Sequence, residues 1–172
     1  MKRTSFADMN CSLARALEDV GEWWSLMIVR EAMYGTRRFD GFCERLGIAR
    51  NVLTTRLNRL VEVGVLTREP AADDPRFFEY LLTAKGRDLL PVLAAFLHWG
   101  DRWMGRGAGP PVVIAETATG REIQPMLVRT ANGEPLDLDE VVVAAGPGAT
   151  SQTRNRLAER ARRRAGEATT DG

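Results

Sequence analysis

Residues 46–70 read LGIARNVLTTRLNRLVEVGVLTREP, and two successive periodicities in this stretch decide the fold. Up to Gly64 the apolar residues recur every three to four positions, which is the period of a helix buried on one side. Beyond Gly64, VLTREP favours a β-strand, and the turn-forming AADDP separates it from a second β-prone run, RFFEYLLT. The stretch therefore predicts a helix that is followed directly by a β-hairpin.

The outward face of this predicted helix is unusually uniform for a surface that only has to be soluble. On a helical projection, Leu57, Leu60 and Val61 share the side of Leu53. The opposite side carries short hydrogen-bonding side chains and arginines: Arg50, Asn51, Thr54, Thr55 and Asn58, flanked by Arg59. A helix in the major groove of DNA needs such donors and acceptors, because acids there would repel phosphates. Taken alone, the polar outer face of this helix is also consistent with a surface that is only solvated and binds nothing.

The segments around this stretch complete the pattern of a winged helix-turn-helix. Two helices are predicted between residues 12 and 34, with an interruption at Gly21, and a short third helix ends at Gly47. After the hairpin, Thr83 is placed to cap a helix over residues 84–104, whose early turns Pro91 bends or loosens. The predicted fold class is mainly α with a small β component, a winged helix-turn-helix domain with a small C-terminal β-hairpin module.

The polar residues of this domain have predicted roles on DNA. Arg50 and Asn51 stand at the helix N-terminus, where Arg can hold guanine and Asn can hold adenine through two hydrogen bonds. Thr54, Thr55 and Asn58 extend the reading face along the groove. The remaining arginines are expected to contact phosphates or, from the hairpin, the minor groove. They are Arg37 and Arg38 at the entry to the third helix, and Arg68 and Arg76 near the hairpin tip.

The chain beyond residue 105 has a different character. GRGAGPP at 105–111 reads as a linker, and three strand-like runs follow it, VVIAE, EIQPMLVR and EVVVAA. Asn132-Gly133 predicts a tight turn between the last two runs. A small separate core is expected from five apolar residues, Val113, Ile123, Leu127, Val142 and Val143.

The last segment of the sequence is rich in arginine. It is predicted to be helical at most over its first turns and frayed after Gly166. The predicted domains are therefore residues 1–105 for DNA binding and dimerisation, 106–150 for the small β module, and 151–172 for a partly disordered basic tail.

Composition and residue counts exclude several other classes of protein. The chain has 172 residues, a net charge of +1, one histidine and two cysteines, so neither a disulfide framework nor a histidine-based metal cluster is expected. The N-terminus lacks the apolar run of a signal peptide, and no run approaches the roughly 20 apolar residues of a membrane span. No paired carboxylates, nucleophile–base pair or phosphate loop supports an enzyme. We therefore predict a cytoplasmic protein without enzymatic activity, cofactor or membrane partner.

The first hundred residues closely resemble the HxlR family of bacterial winged-helix transcriptional regulators. The resemblance covers residues 11–104 nearly without gaps and rests on Trp24, the Gly35 turn with RRF, LGIARNVLTTRL and EYLLTAKG. It implies a homodimer, joined through the first helix and the helix at 84–104, that binds an inverted-repeat operator in double-stranded DNA. One departure is Trp23, which stands where the family commonly has a lysine.

The resemblance also suggests two ways of regulating DNA binding. Several family members keep a cysteine before the first helix that senses oxidants or electrophiles, and Cys11 holds that position, although Ser12 replaces the usual proline. An inert thiol is the alternative for Cys11. The second hypothesis is a small-molecule effector, such as an aromatic compound, in a pocket lined by tryptophans. The candidates are Trp23, Trp24, Trp99 and Trp103.

Residues 106–150 resemble the zinc-ribbon-like extension of longer family members. In that extension two cysteine-bearing turns hold the metal, whereas the corresponding positions here are Thr119, Arg129 and Asn132. Zinc needs thiolate, imidazole or carboxylate donors, so no metal is expected. Two alternatives to a DNA-binding function involve the C-terminal third of the chain. One is an enzyme or acyl-type carrier that uses the β module, and the other is a protein-interaction module that uses the basic tail.

Overall fold

The computed structural model describes residues 5–6, 8–105, 107 and 109–167, and for 164–167 it describes the backbone alone. Contacts divide the chain into two compact units, one formed by Ala16–Met126 and the other by Met1–Arg15 with Leu127–Gly172. Within the described ranges, no helix is long and apolar enough to cross a membrane. The domain boundaries expected after residues 105 and 150 stay predictions.

A helix-turn-helix forms in the first half of the chain, as predicted. Its helices are α1 Ser12–Val20, α2 Trp23–Met33, α3 Phe39–Leu46 and α4 Arg50–Glu62. Gly47 ends α3 in a left-handed conformation, with φ +60°, that glycine adopts without steric cost. Its N–H donates to the Cys43 carbonyl at 2.9 Å, so the chain turns sharply from α3 into α4.

The apolar side of α4 lies in the core of this unit. Leu53, Leu57 and Leu60 are completely buried, and they cluster with Ile28 of α2 and Phe42 of α3. Burying a leucine of this kind stabilises a fold by about 1.5–3 kcal/mol relative to leaving it exposed. The predicted apolar side is confirmed, and it fixes the rotation of α4 about its axis.

The predicted hairpin is confirmed and is joined to the start of α3. Strands β1 Leu66–Pro70 and β2 Phe78–Leu82 pair antiparallel, with Leu66 opposite Leu82. The Tyr80 backbone N–H donates to the Arg37 carbonyl at 2.8 Å, and its ring packs edge-on against Phe42 with centroids 6.5 Å apart. These contacts anchor the hairpin beside the helix-turn-helix as a wing.

The predicted continuous helix over 84–104 is divided in two. The short helix α5 Ala84–Arg87 is capped by Thr83, whose hydroxyl accepts from the Gly86 N–H at 3.1 Å. After a break, α6 Leu90–Met104 begins with Pro91 in its first turn, where no backbone N–H is needed. Only Ala94 of α6 is fully buried, so most of the apolar stripe on this helix faces outward.

The three strands expected beyond residue 111 do not form within the described ranges. The region contains two isolated bridges, Ala115 with Glu122 and Arg129 with Pro135, and a 3-10 turn at Leu138–Glu140. The expected small core is also wrong, because Val142 and Val143 are 74% and 73% exposed, and Val113 and Leu127 are about half exposed. Of the five expected core residues only Ile123 is partly buried.

The turn expected in that region is present, and a second turn accompanies it. Gly133 has φ +88° and its N–H donates to the Thr130 carbonyl at 3.0 Å, which confirms the Asn132-Gly133 turn. Gly120 closes the other turn by donating to the Glu116 carbonyl at 2.8 Å.

The arginine-rich segment is more helical than predicted. Helix α7 runs over Ser151–Glu167, which is four to five turns and not only the first ones. The Thr150 hydroxyl caps it by accepting from the Thr153 N–H at 3.2 Å. Residues 168–172, where we expected fraying, lie outside the described part of the chain.

Candidate nucleic-acid interface

The outward face of α4 carries the residues that were predicted to read DNA. Because its leucines are buried, the residues on the other side of the helix all project into solvent. They are Arg50, Asn51, Thr54, Thr55 and Asn58, and each is exposed. Among the described residues, no group hydrogen-bonds the side-chain amides of Asn51 and Asn58. These two amides therefore offer both donors and acceptors to a ligand.

The two threonines of this face present a different surface from the one expected. The Thr54 hydroxyl donates to the Arg50 carbonyl at 2.8 Å, and the Thr55 hydroxyl donates to the Asn51 carbonyl at 3.0 Å. Since each hydroxyl has a single proton, both donors are used within the helix. The threonines are left with acceptor lone pairs and with methyl groups, which suit contact with the methyl group of thymine.

Arg50 is held by an acid that the sequence analysis did not single out. Its guanidinium donates to the Asp40 carboxylate of α3 at 2.6 Å and lies over the Phe39 ring, 4.7 Å from the ring centroid. The hydrogen bond to Asp40 raises the pKa of Arg50. The sequence signal for Asp40 is its place in the first turn of α3, two residues after Arg38.

Arg37 and Arg38 lie at the entry to α3, as predicted, and both reach toward the wing. Arg38 forms an ion pair with Asp73 in the loop between the strands, and its Nε lies 3.7 Å from a Glu79 carboxylate oxygen. Arg37 Nη1 lies 3.8 Å from the other Glu79 oxygen. The α3 entry and the wing are thus linked by charge as well as by backbone contacts.

The wing arginines are exposed on the hairpin. The Arg68 guanidinium stacks over the Phe78 ring at 3.7 Å from its centroid. Arg76 binds the Asp74 carboxylate at 2.7 Å, and this hydrogen bond, with one from the Arg76 backbone N–H, lowers the pKa of Asp74. Together with Arg38, these two arginines line an open groove of about 520 Å³ between α3 and the wing.

Unlike the other residues of α4 that were predicted to contact DNA, Arg59 is not part of the outward face; its side chain is paired with acids of the fold. Its guanidinium lies 3.0 Å from Glu62 on the same helix and 3.2 Å from Asp19 on α1. Asp19 also accepts from Lys85 at 3.0 Å. The Arg59 side chain therefore joins α4 to α1 inside the fold, and the hydrogen bond to Glu62 raises its pKa.

A large apolar cavity lies between α2 and α6. It measures about 720 Å³, and its lining includes Trp23, Met27, Arg30, Leu93, Phe96 and Val113. Of the four tryptophans that we expected around an effector, only Trp23 lines it, since Trp24 packs against the core and Trp99 and Trp103 are exposed. The Arg30 Nη2 donates to Glu31 at 2.5 Å, while its buried Nε has no acceptor in the described part of the chain.

Cys11 is a free, half-buried thiol in a separate pocket of about 550 Å³. Arg15 and Arg156 also line this pocket. The Arg15 guanidinium, however, donates to the Met9 carbonyl at 3.4 Å and to the Ser12 hydroxyl at 3.2 Å. The other cysteine, Cys43, packs against the core as a free thiol.

The positions that correspond to zinc ligands take part in turn hydrogen bonds. The Thr119 hydroxyl donates to Glu116 at 2.5 Å, and the Arg129 guanidinium donates to the Gly133 carbonyl at 2.7 Å. Over the ranges that the structure describes, no three His, Cys, Asp or Glu residues are grouped so as to hold a metal ion. The single histidine, His98, is half-buried on α6 and accepts from the Met126 N–H at 3.4 Å.

A known protein family matches about half of the chain. The profile of the HxlR-like helix-turn-helix family matches residues 19–108, a segment that holds all ten of the candidate DNA-binding residues. An uncharacterized HTH-type transcriptional regulator of Mycobacterium tuberculosis is 43% identical over 137 residues, which cover 80% of this chain and 87% of the relative. A second such regulator, from Synechocystis, is 33% identical over 95 residues, covering 55% of this chain and 70% of the relative.

Two solved structures resemble this chain over most of its length. PA1607, a proposed transcription factor, has a TM-score of 0.78 and 37% identity, and the match covers 83% of this chain and all of PA1607. PA1374 of Pseudomonas aeruginosa, also a proposed transcription factor, has a TM-score of 0.59 and 43% identity, with 85% of this chain and 99% of that one covered. At these coverages, both matches extend beyond the segment that the family profile matches.

Proposed function

Since this chain belongs to the HxlR-like helix-turn-helix family of transcriptional regulators, we propose that it binds an inverted-repeat DNA operator as a homodimer. The outward face of α4 is the observation that carries this proposal. It combines an arginine, two threonine methyl groups and two amides that have no partner among the described residues, a set that suits the edges of bases in the major groove.

Base reading is assigned to the first turns of α4. Arg50 binds guanine through donors that its contact with Asp40 leaves free, and Asn51 binds adenine through its amide. Thr54 and Thr55 contact thymine methyl groups, and Asn58 extends the contact along the groove. Arg59 adds only long-range positive potential, because its guanidinium is bound to Asp19 and Glu62.

Phosphate contacts are assigned to Arg37, Arg38, Arg68 and Arg76. In the free protein three of them face carboxylates, in the pairs Arg37–Glu79, Arg38–Asp73 and Arg76–Asp74. On DNA these arginines exchange a carboxylate for a phosphate, which is an equally good bidentate acceptor. Exposed ion pairs of this kind contribute only about 0–1 kcal/mol, so the exchange has a low cost.

Dimerisation is assigned to α1 and α6. Both helices expose large apolar side chains: Leu13 and Leu17 on α1, and Phe96, Trp99, Trp103 and Met104 on α6. Groups of large exposed apolar side chains often mark interaction surfaces. In a two-fold dimer, the two α4 helices would bind half-sites about one turn of DNA apart, roughly 34 Å, so the operator is a near-palindrome.

A small-molecule effector that releases DNA is a second candidate function, and the cavity between α2 and α6 favours it. Its volume of about 720 Å³ falls within the range of sites for drug-sized ligands. Among the described residues the buried Arg30 Nε–H has no acceptor, and an aromatic compound with a carbonyl oxygen would supply one. Sensing of an electrophile through Cys11 is the other route to gating. The aromatic compound and the electrophile should each lower the affinity for the operator. Substitution of Arg30 should abolish only the response to the aromatic compound, and substitution of Cys11 only the response to the electrophile.

The test of the proposed function is to recover and sequence the DNA fragments that the purified protein retains from a random pool. A recurrent near-palindrome is the expected result, and retention without any sequence preference would contradict it. No enzymatic activity is proposed, and the site of action is the cytoplasm, where the DNA of a bacterium lies.

A further inference from the structure

The arginine-rich helix α7 is a formed element that is tied to the N-terminal segment of the same unit. The Asn10 side chain accepts from the Thr150 N–H at 3.1 Å and from the Thr153 hydroxyl at 2.9 Å. Its amide donates to the Gly148 carbonyl at 3.2 Å. Because Thr150 also caps the helix, the first turn of α7 is held by contacts from a segment about 140 residues away.

Charge on α7 is strongly one-sided. The described side chains of this helix include five exposed arginines, Arg154, Arg156, Arg160, Arg162 and Arg163, and a single acid, Glu159. Three of the arginines, Arg156, Arg160 and Arg163, follow the spacing i, i+4 and i+7 and so share one face, here called the arginine stripe. Glu159 binds Arg163 at 2.5 Å and no other described residue. Like charges at this spacing destabilise a helix, and a face that only has to be solvated mixes both signs.

The stripe has the character of a phosphate-binding surface and not of a protein-binding one. Protein interfaces concentrate their affinity in a buried apolar centre. The partly buried positions of α7, Thr153 and Leu157, lie beside the stripe and already pack within the unit. Between Arg156 and Arg163 the stripe rises about 10 Å along the helix, a length over which duplex DNA presents several phosphates.

We propose that the arginine stripe of α7 contacts DNA phosphates and adds affinity that does not depend on sequence. This inference rests on the proposed DNA-binding function and extends it to a part of the chain outside the winged helix-turn-helix. The stripe would raise the affinity for operator and random duplex by the same factor, whereas α4 supplies the preference between them.

The experiment compares two full-length variants that lose the same charge. Arg156→Gln with Arg160→Gln removes the two stripe arginines that have no acid partner among the described residues. Arg121→Gln with Arg162→Gln is the matched control, because it removes two exposed arginines outside the stripe, the wing, α4 and α6. Glutamine removes the charge while keeping an unbranched polar side chain and a similar helix propensity, and circular dichroism verifies that α7 is retained.

Affinity for the selected operator and for a random duplex is then measured across a range of salt concentrations. The slope of log Kobs against log salt should become shallower by about 1.8 per chain in the stripe variant, or about 3.6 for the proposed homodimer, since each phosphate contact contributes about 0.9. The operator-to-random ratio should stay unchanged, and the control variant should keep the wild-type slope. Charge reversal by Arg160→Glu should weaken binding further than Arg160→Gln.

Equal slopes in the stripe and control variants would overturn the inference while leaving operator binding intact. Stripe-dependent binding of poly-glutamate, together with an unchanged DNA slope, would overturn it in favour of an acidic protein partner. A third outcome is possible: the wild-type protein prefers no duplex sequence, yet its salt slope becomes shallower in the stripe variant. This outcome would contradict the operator function and support the inference.

Discussion

The Arg50 guanidinium at the start of α4 donates a 2.6 Å hydrogen bond to the Asp40 carboxylate in the first turn of α3. Both side chains are mostly exposed, so the pair contributes little to stability and opens readily when another acceptor is offered. The two helices of the helix-turn-helix are thus connected at the point where base reading is proposed to begin. Asp40 also places a negative charge where DNA phosphates would come close.

Replacing Arg50 or Asn51 with Ala should cost about 1–3 kcal/mol of operator binding and relax the preference at one or two base pairs. The physical reason is the loss of a bidentate contact with one base. Gel-shift titrations against the operator and its single-base variants measure both effects. An unchanged ratio of operator to random-duplex affinity in Arg50→Ala would show that α4 does not read bases through this residue.

Asp40→Asn should increase the affinity for random duplex, because it removes a charge that repels phosphates. At about 0.2–1 kcal/mol for one exposed charge, the increase should be about 1.5-fold to 5-fold at low salt and should shrink as salt is added. Titrations at two salt concentrations provide the measurement. A loss of operator affinity as large as that of Arg50→Ala would mean instead that Asp40 holds Arg50 in its binding position.

The outward face of α4 could be predicted from the sequence, whereas the contact between Asp40 and Arg50 could not. The outward face of α4 follows from local information, since helical periodicity and the glycine at position 47 determine which side chains are exposed. The ion pairs between elements, such as Arg50–Asp40 and Arg38–Asp73, do not follow from local information, because they form only when α3, α4 and the wing pack. The same holds for Arg59, whose flanking position on α4 gave no sign of Asp19 on α1.

The C-terminal region shows the opposite error. EVVVAA has high β propensity, yet it has no strand partner in the described structure, and its valines are exposed. Propensity reports how well a side chain suits a pleated surface, and it cannot supply the neighbouring strand. Helix α7 was underestimated for a related reason, since Asn10, which binds the capping residue Thr150, is 140 residues away in the sequence.

The pKa of the Asp74 carboxyl should lie below its ordinary value of 3.8, because the Arg76 side chain and backbone N–H both donate to it. A lowered pKa in the folded state means that this carboxylate stabilises the fold above pH 4 or so, and that the contribution is lost as the pH falls through the lowered value. Carboxyl NMR titration should show the pKa rising toward 3.8 in Arg76→Ala. A titration midpoint that is unchanged in Arg76→Ala would contradict the hydrogen bond between Arg76 and Asp74.

Arg76→Ala should also lower the affinity for all DNA duplexes alike and reduce the salt dependence of binding.

Trp99→Glu on α6 should convert the proposed dimer to a monomer, and the variant should lose most of its operator affinity. Trp99 is 54% exposed, and a charge at the centre of an apolar contact would be buried without a partner. Sedimentation velocity measures the change in mass. Leu138→Glu is the control, since Leu138 is 85% exposed outside the proposed interface and its substitution should leave the dimer intact. A wild-type monomer that binds one asymmetric half-site would contradict the dimer.

Purified protein should carry no stoichiometric zinc, and a chelator should leave its melting temperature unchanged. The three positions that resemble zinc-ligand sites hold Thr119, Arg129 and Asn132, none of which supplies a thiolate, imidazole or carboxylate. Two of these side chains already serve their turns, since Thr119 donates to Glu116 and Arg129 donates to the Gly133 carbonyl. Hydrogen bonds of this kind contribute about 0.5–1.5 kcal/mol each, so the turns persist without the much larger free energy of metal binding. Arg129→Ala should therefore loosen the Gly133 turn, seen as faster amide exchange there, without releasing any metal. Elemental analysis that finds about one zinc per chain would overturn both the alignment and this account of the region.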